Sequence, residues 1–283
     1  MKTWFITGAS RGFGGLVAER ALAAGDNVVA TARNRTAIIE RFGNHPRLLA
    51  LELDVTSEVQ AFSAADAAIT RFGRIDVLLN NAGYGLISAV EEATGEEVER
   101  IYRTNVFGLL AVTRAILPQM RAQRNGRILN ISSIGGYRSA AGFGVYCSTK
   151  FAVEGLSEAL HAELAPLGIH VTVVEPGYFR TDFLDSTSLS VSRAQIPDYD
   201  STAGMVRRAA SDLNHAQPGD PQLLAKVLVE FADAPDPPVR LPLGSDTIAA
   251  IEAKHASDAV ILAQWRNVSS STDFMRNTSL EEI

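Results

Sequence analysis

The sequence predicts an α/β fold built on a doubly wound parallel sheet, and three observations favour this class. Short runs rich in Val, Ile and Leu alternate with longer amphipathic stretches from the first residues onward. The short runs lack strict apolar–polar alternation, which is typical of strands buried on both faces. Strands that alternate with helices form βαβ units with right-handed crossovers, so helices are expected on both faces of one sheet.

The predicted elements follow one another in a regular order. Strands are predicted at 4–7, 27–32, 48–53, 77–80, 127–131 and 169–175, and helices at 13–24, 35–42, 57–71, 95–122 and 145–166. A length of 283 residues is normal for a single domain of this class. We therefore expect one domain over 1–283.

The pattern changes after Pro176. Residues 182–218 are rich in Ser, Thr, Asp and Arg and show little periodicity. A loop of this length inside a domain is usually functional or disordered, and we interpret it as a substrate lid. Beyond it we predict a helix at 221–232, a last strand at 239–243 and a helix at 246–265. The polar tail at 267–283 is expected to be loosely packed or docked on a partner.

Composition argues against several classes of protein. The formal net charge of −6 does not suit a nucleic-acid-binding protein, which needs a basic face. A single cysteine, Cys147, excludes an intramolecular disulfide and a CxxC metal site, and the scattered histidines show no metal-ligand spacing. The N-terminus does not resemble a signal peptide, and no apolar run reaches about 18 residues. We therefore expect a cytoplasmic protein without a bound metal, a nucleic-acid partner or a membrane span.

A glycine-rich turn follows the first strand, in Thr7-Gly8-Ala9-Ser10-Arg11-Gly12-Phe13-Gly14. A strand that turns sharply into a helix directs free backbone N–H groups at a phosphate. Gly8 would permit the tight turn, Gly12 a close approach of the backbone to a ligand, and Gly14 the packing of helix on strand. The turn predicts a dinucleotide site, with an ordinary glycine-rich turn as the alternative.

This turn resembles the TGxxxGxG signature of the short-chain dehydrogenase/reductase family, and further motifs follow at the family's intervals. They are Leu53-Asp54-Val55, Asn80-Asn81-Ala82-Gly83, Thr104-Asn105-Val106, Ile131-Ser132-Ser133, Tyr146 to Lys150 as YxxxK, and Pro176-Gly177 with Thr181. The resemblance covers residues 3–181 and implies a Rossmann-type fold that binds a nicotinamide cofactor. The contacts it implies are Gly8, Ser10, Arg11, Gly12, Phe13, Gly14, Arg33, Asp54, Val55, Asn81, Ala82, Gly83, Tyr146, Lys150, Pro176, Gly177, Phe179 and Thr181. Phe179 departs from the family, which more often has a small branched residue there.

The end of the second strand bears on the choice between NADP and NAD. Many NAD-binding units place a carboxylate there to bind the ribose 2′-hydroxyl. This chain has Thr31-Ala32-Arg33-Asn34 instead, and Arg11 lies in the glycine turn. Because arginines bind a 2′-phosphate that a carboxylate would repel, we predict NADP(H) over NAD(H). Two ordinary surface arginines are the alternative.

Tyr146 and Lys150 are four residues apart on a predicted helix, so their side chains share one face. An unperturbed tyrosine has a pKa of about 10, and a neighbouring ammonium is expected to lower it. Taken alone, the pair also fits a partly buried aromatic beside an exposed lysine. The resemblance implies that Tyr146 is the catalytic acid/base and that Lys150 also binds the nicotinamide ribose.

Two further residues complete the site that the resemblance implies. The family's interval to the tyrosine selects Ser133 over Ser132, and the Ser133 hydroxyl would hold the substrate oxygen beside Tyr146. Asn105 would hold a water that connects Lys150 to solvent. A helix-kinking polar residue that is satisfied by its own backbone is the alternative for Asn105.

These residues predict an oxidoreductase that transfers a hydride between NADP(H) and a carbonyl or secondary alcohol. Aromatic residues near the motifs line a pocket for a lipophilic substrate or belong to the core (Tyr84, Tyr137, Phe143, Tyr178, Phe179 and Phe183). The alternative from another class is a non-catalytic redox sensor that binds the same cofactor, although such proteins often lose the tyrosine or lysine. Epimerisation or dehydration on the same fold is a third possibility, which the modest length past residue 181 does not favour. The resemblance also implies a homodimer or homotetramer paired through the helices at 95–122 and 145–166.

Overall fold

The computed structural model describes residues 1–274, which form one central sheet between two layers of helices. Numbered along the chain, the strands are β1 (Thr3–Thr7), β2 (Asn27–Ala32), β3 (Leu48–Glu52), β4 (Val77–Asn80), β5 (Gly85–Ile87), β6 (Gly126–Ile131), β7 (Ile169–Pro176), β8 (Leu189–Val191) and β9 (Arg240–Leu243). Seven of them are parallel in the order β3-β2-β1-β4-β6-β7-β9, and β5 pairs separately with β8. The predicted doubly wound parallel sheet is confirmed.

The helices connect these strands in the predicted order. They are α1 (Gly12–Ala23), α2 (Arg35–Phe42), α3 (Glu58–Phe72), α4 (Gly95–Tyr102), α5 (Leu109–Gln123), α6 (Gly144–Leu164), α7 (Met205–Leu213), α8 (Pro221–Phe231) and α9 (Ser245–Ser270). Side-chain oxygens of Ser57, Thr94 and Asp220 accept backbone N–H groups in the first turns of α3, α4 and α8. Such caps satisfy N–H groups that a helix start leaves without partners, which explains where these helices begin.

Two hydrophobic layers cover the sheet, one on each face. Side chains alternate along β1, so Trp4 and Ile6 join the layer under α1 and α8, while Phe5 joins the layer under α3 and α5. Phe5 and Ile6 are fully buried, and each contributes about 1.5–3 kcal/mol relative to an exposed side chain. Because all seven strands run the same way, the loops after their carboxyl ends meet at one edge of the sheet.

The helix predicted over 95–122 is interrupted near its middle. A π-helical turn spans Arg103–Gly108 between α4 and α5, and it contains Asn105. Gly108 approaches the β3–α3 loop closely, since a Cβ at this position would lie 2.6 Å from Val55 Cγ2. The prediction of one continuous α-helix is wrong here, because a local change in hydrogen bonding leaves little trace in hydrophobic periodicity. Single π-turns of this kind are frequent at functional sites.

The segment 182–218 contains more regular structure than the sequence predicts. It includes β8, α7 and short helical turns at Asp182–Leu184, Pro197–Tyr199 and Asp200–Gly204. The strand β8 pairs with β5, and neither strand is predicted from the sequence. Elements this short depend on tertiary contacts, so their sequences carry little periodicity. The expectation of a segment without regular structure is therefore wrong.

The last helix is longer than predicted. We expected a helix at 246–265, whereas α9 extends to Ser270, and all its residues from His255 onward are exposed. The tail predicted from Asn267 thus begins inside a helix, and residues 275–283 lie outside the described part of the chain. Among residues 1–274, no helix is both long and apolar enough to cross a membrane.

Candidate active site

A cleft of about 880 Å³ opens at the edge of the sheet where the parallel strands end. The loops that follow β1, β2, β3, β4, β6 and β7 form its walls. Of the residues predicted for catalysis or cofactor binding, all except Gly14 and Asn105 line it. Open α/β sheets bind ligands in this position, at the carboxyl ends of their strands.

The glycine turn has the geometry of a phosphate site. Gly8 and Gly12 have φ angles of 66° and 53°, which side chains with a Cβ rarely adopt. A Cβ at Gly14 would lie 2.5 Å from the Gly8 carbonyl oxygen, so the turn could not close over a larger residue. The helix α1 begins at Gly12 without a side-chain cap from Arg11, which leaves its first N–H groups without a side-chain partner. This cradle suits an anion such as a pyrophosphate.

The loop after β4 is fixed to the end of β1. Thr7 Oγ1 accepts the backbone N–H groups of Asn81 and Ala82 at 2.9 and 3.0 Å. The Asn81 amide donates in turn to the carbonyl oxygens of Thr7 and Gly8 at 2.9 and 3.1 Å. On the neighbouring wall, the Asp54 carboxylate accepts from the Thr56 N–H at 2.9 Å. The first four bonds thus fix the loop after β4 against the glycine turn, and the last one orders the loop after β3.

The two arginines of the predicted cofactor site differ in their surroundings. The Arg11 guanidinium donates across the cleft to Thr187 O at 2.7 Å and to Ser188 Oγ at 3.0 Å. Arg33 is exposed on the cleft wall, and Asn34 beside it caps α2 by accepting the Thr36 N–H. Burial raises the pKa of the nearby Tyr84 phenol, and the charge of Arg33 opposes that rise. Arg33 therefore presents its positive charge to the cleft.

Tyr146, Lys150 and Ser133 meet at the floor of the cleft. Tyr146 and Lys150 lie on one face of α6, where they are 7% and 6% exposed. Lys150 Nζ donates to Ile131 O at 2.8 Å and lies 5.8 Å from the centre of the Tyr146 ring. Ser133 follows β6, and its Oγ accepts the Gly135 N–H at 3.0 Å. The structure thus brings these three predicted catalytic residues together. The fourth, Asn105, lies close by, since a Cβ on Gly83 would lie 3.1 Å from Asn105 Oδ1 and 3.7 Å from Lys150 Nζ.

Burial dominates the electrostatics of this group. It raises the pKa of Tyr146 well above its ordinary value, although hydrogen bonding from Ser133 acts in the opposite direction. It lowers the pKa of Lys150 to about 8. The pKa of Tyr146 is thus raised, not lowered as we expected, because desolvation disfavours the phenolate. At neutral pH the site holds a neutral phenol beside a charged amine.

Asn105 connects the π-turn to the catalytic helix without facing the cleft. Its Nδ2 donates to Tyr84 O at 3.0 Å and to Thr149 Oγ1 at 3.1 Å, and its Oδ1 accepts the Tyr84 N–H at 3.1 Å. Thr149 Oγ1 donates to Tyr146 O at 2.7 Å. The alternative of an asparagine satisfied by its own helix backbone is therefore wrong.

Comparison with known proteins agrees with this geometry. Residues 2–191 match the family model described as short chain dehydrogenase. The oxidoreductase BOA17 of Botryotinia fuckeliana is 38% identical over 275 residues, which cover 95% of this chain and 98% of that protein. The 3-ketodihydrosphingosine reductase of Bacteroides thetaiotaomicron is 43% identical over 194 residues, covering 69% and 70%.

The chain belongs to the short-chain dehydrogenase family.

Solved structures extend this assignment to the cofactor. A short-chain dehydrogenase from Streptomyces avermitilis superposes with a TM-score of 0.89 at 41% identity, over 96% of this chain and 99% of that one. The structure of ElxO with NADP bound superposes with a TM-score of 0.72 at 27% identity, covering 88% and 99%. The protein is thus an oxidoreductase of this family, and its cradle suits a nicotinamide cofactor.

In this short-chain dehydrogenase, the loop after β7 is shaped by a residue far along the chain. Asp246 of α9 accepts the Tyr178 N–H at 2.8 Å, and a Cβ on Gly177 would clash with its carboxylate. Phe179, the departure from the family pattern, is 9% exposed and packs edge-on against Phe13 with ring centres 5.5 Å apart. Thr181 follows, and its Oγ1 accepts the Phe183 N–H at 3.3 Å.

Several residues that shape the dehydrogenase's cleft are absent from the sequence-based prediction. Asp246 is one of them. Leu184 and Ser188 line the cleft from the segment after Thr181, Arg100 from α4 and Arg103 from the π-turn. No local motif marks them, because they reach the site only through long-range contacts. Of the six aromatic residues suggested as pocket lining, all except Tyr137 line the cleft. Tyr137 instead contacts His255 of α9.

Proposed function

We propose that this protein is an NADP(H)-dependent reductase of lipophilic ketones or aldehydes, with Tyr146 as its proton donor. The observation that carries the proposal is a buried, neutral phenol beside the charged Lys150 amine and the Ser133 hydroxyl, at the floor of a ligand-sized cleft. Such a phenol holds the proton that carbonyl reduction consumes. Oxidation of the corresponding alcohol is the reverse of the same reaction.

The cleft offers a complete set of contacts for the cofactor. Backbone N–H groups of the glycine turn, with Ser10, Gly12 and Phe13, would hold the pyrophosphate. Asp54 and Val55 would border the adenine. Lys150 would hold the nicotinamide ribose, and Thr181 the carboxamide, by resemblance to the family. The bound cofactor supplies the hydride for the carbonyl carbon.

The side chains of this protein would bind the carbonyl oxygen of the substrate and protonate it. Ser133 Oγ donates a hydrogen bond that positions the oxygen beside Tyr146 Oη. As negative charge develops on that oxygen, Tyr146 transfers its proton to it. The Lys150 ammonium stabilises the phenolate that remains, which lowers the cost of the transfer. Asn105 stabilises the turn of α6 that carries Tyr146 through Thr149.

Arg33 supports NADP(H) over NAD(H). No carboxylate stands at the end of β2, and the exposed guanidinium on the cleft wall suits a 2′-phosphate. Arg11 contacts Thr187 and Ser188 instead, so it would reach a phosphate only after leaving those partners. We therefore assign most of the discrimination to Arg33.

The lining of the cleft supports a lipophilic substrate. Tyr146 lies between the aromatic rings of Phe143 and Phe183, whose centres are 6.0 and 5.8 Å from its own. Tyr178 and Leu184 line the same region. Ala140, on the rim, also borders a largely apolar groove of about 540 Å³ that would extend the space for a long substrate. We interpret the residues at 182–218, which lie on this rim, as a lid over the substrate.

We also expect the protein to form a homo-oligomer.

The decisive experiment is a panel of ketones and aldehydes of increasing chain length, followed by cofactor absorbance with NADPH and with NADH. We expect turnover with NADPH that improves with chain length. Tyr146→Phe should lower kcat by about 10²–10⁴-fold, because the ring remains while the transferable proton is lost. Cofactor affinity of this variant should be nearly unchanged. A kcat within about threefold of wild type would exclude Tyr146 as the proton donor.

A further inference from the structure

A buried cluster of charges lies one helical turn beyond the catalytic lysine. Glu154 of α6 and Glu175 of β7 are 4% and 1% exposed. Both contact Arg240 of β9, whose Nη1 lies 2.7 Å from Glu154 Oε2 and 2.5 Å from Glu175 Oε1. Arg240 Nη2 also donates to the half-exposed Glu158 at 2.7 Å. Three elements thus bring four ionisable side chains together behind the active site.

Arg240 alone does not balance the charges of this cluster. Two buried carboxylates share one guanidinium, and a buried charge without a counter-charge is strongly unfavourable. The next cation along α6 is Lys150, four residues before Glu154, so the two side chains share one helix face. Lys150 is itself buried and donates to a neutral carbonyl, Ile131 O. The negative charge of Glu154 therefore favours the ammonium form of Lys150.

One oxygen of Glu154 lies beside Ser132, the residue that precedes Ser133. Within residues 1–274, neither Glu154 Oε1 nor Ser132 Oγ has a hydrogen-bond partner, although both are buried. The two atoms face the same point beside Gly136, since a Cβ on that glycine would clash with both of them. Buried polar atoms without partners are rare in folded proteins, and the Ser132 hydroxyl is placed to serve as a donor to Glu154.

We propose that Glu154 is a positioning residue whose carboxylate keeps the Lys150 amine protonated while the enzyme turns over. The inference rests on the proposed function, because it assigns a task to Lys150. Glu154 itself does not line the cleft. Its effect passes through the charge of Lys150 to the proton held by Tyr146.

The titration of the two groups agrees with this role. Burial lowers the pKa of Lys150 to about 8, and the charge of Glu154 works against that lowering. Burial and the neighbouring Glu175 raise the pKa of Glu154 to about 7, while Ser132 and Arg240 oppose the rise. The negative charge of Glu154 therefore supports the protonated amine against the effect of burial. The other ionisable groups that face the pair are Tyr146 on the cleft side, and Glu175, Arg240 and Glu158 on the outer side.

Glu154→Gln tests the inference, because it removes the charge and keeps the shape. In the wild type, kcat/KM for reduction should be level up to about pH 8 and fall above it as Lys150 loses its proton. In the variant this fall should begin about one pH unit lower, because the negative charge of Glu154 no longer favours the protonated form of Lys150. At pH 6, where Lys150 is charged in either case, the two enzymes should agree within about threefold.

Two further variants separate charge from structure. Glu158→Gln removes a carboxylate from the same guanidinium at the surface, and it should leave the profile in place. Ser132→Ala is a small change that should leave the fold intact. It removes the hydroxyl that favours the charged form of Glu154. The fall in kcat/KM should therefore again move to lower pH, but by less than in Glu154→Gln. A loss of activity that is equal at every pH in Glu154→Gln, with an unmoved profile in Ser132→Ala, would overturn the inference.

A second readout keeps this test independent of turnover. The affinity for NADPH can be measured by fluorescence titration over the same pH range. In the wild type it should weaken above about pH 8, because Lys150 then loses its proton and its charge. In Glu154→Gln it should weaken about one unit lower. If the wild type reduces no carbonyl compound, the proposed function fails, while the affinity profile still decides the role of Glu154. An affinity profile that is unmoved in the variant counts against that role.

Discussion

Tyr146 and Lys150 occupy consecutive turns of α6, and burial acts on both by disfavouring the charged form. It raises the pKa of the phenol and lowers that of the amine to about 8. The two effects leave a wide pH range in which the phenol is neutral and the amine is charged. A proton donor needs this combination, whereas a base for alcohol oxidation needs the phenolate. These two pKa shifts suit the reductive reaction that we propose.

Arg33→Asp should change the cofactor preference. The substitution removes a charge-assisted contact worth about 1.5–3 kcal/mol and places a like charge beside the 2′-phosphate. We expect kcat/KM with NADPH to fall roughly 10–100-fold or more. The gain with NADH should be smaller, because the new carboxylate can accept from the ribose 2′-hydroxyl.

Arg35→Asp is the matched control for this prediction. Arg35 is an exposed arginine two residues further along, and it does not line the cleft. If only the charge next to the 2′-phosphate matters, Arg35→Asp should leave kcat/KM with NADPH and kcat/KM with NADH within about twofold of the wild-type values. An equal loss with NADPH in both variants would mean that the general field of the protein, rather than Arg33, selects the cofactor.

At the scale of elements, the sequence predicts the large parts and misses the small ones. Strands such as 27–32 and helices such as 35–42 carry enough apolar residues for their period to be recognised. The pair β5 and β8 has three residues in each strand, and its stability comes from contacts between distant parts of the chain. The motifs predict Ser133, Tyr146 and Lys150 as a site, and these residues do meet. Asp246 lies in no motif and contacts the Gly177 loop only because α9 packs beside β9.

A buried ion pair stabilises the rim of the cleft. Glu92, which is 1% exposed, accepts from Arg207 Nη1 at 2.6 Å and from the N–H groups of Ala89 and Ile196 at 2.8 and 2.9 Å. It thereby joins the loop after β5 to α7 and to the segment before it. These contacts give 192–213 a defined position, and a lid that opens would have to break them.

Glu92→Gln should weaken this part of the molecule in a pH-dependent way. Hydrogen bonding from Arg207 lowers the pKa of Glu92 from 4.5 to about 2. A lowered pKa means that the stabilisation is complete above about pH 4.5 and is lost as the pH falls toward 2. At pH 7 we expect Tm to fall by a few °C and proteolysis within 192–213 to accelerate. The difference in Tm should shrink below about pH 4.5.

Glu91→Gln serves as the control for that variant. Glu91 is exposed and accepts from Tyr199 Oη at 2.7 Å, so it also contacts the segment but at the surface. Its replacement should change Tm and proteolysis little, because exposed pairs contribute about 0–1 kcal/mol. A Glu92→Gln variant that behaves like Glu91→Gln at pH 7 would show that the buried pair does not hold the rim.

The surface of the whole molecule points to association. Phe107 in the π-turn and Phe151 on α6 are 56% and 45% exposed, on the two helical segments that the family resemblance assigns to a subunit interface. Large aromatic side chains of this kind are enriched in the buried centres of protein interfaces. The apolar side chains on the exposed end of α9, including Ile261, Trp265 and Val268, form a second surface remote from the first in sequence. Nothing in residues 1–274 covers either surface.

We expect light scattering at micromolar concentration to give a mass of two or four times 30.3 kDa. A two-fold contact is the commonest arrangement for such a protein, and it repeats each residue of the interface. Phe151→Glu would therefore bury two carboxylates per contact without partners, so the variant should shift toward the monomer. Phe62→Glu on α3 is the control, since Phe62 is 44% exposed but lies on neither helix. A wild-type mass near 30.3 kDa contradicts the prediction, and a Phe151→Glu variant of unchanged mass would direct the search for the interface to α9.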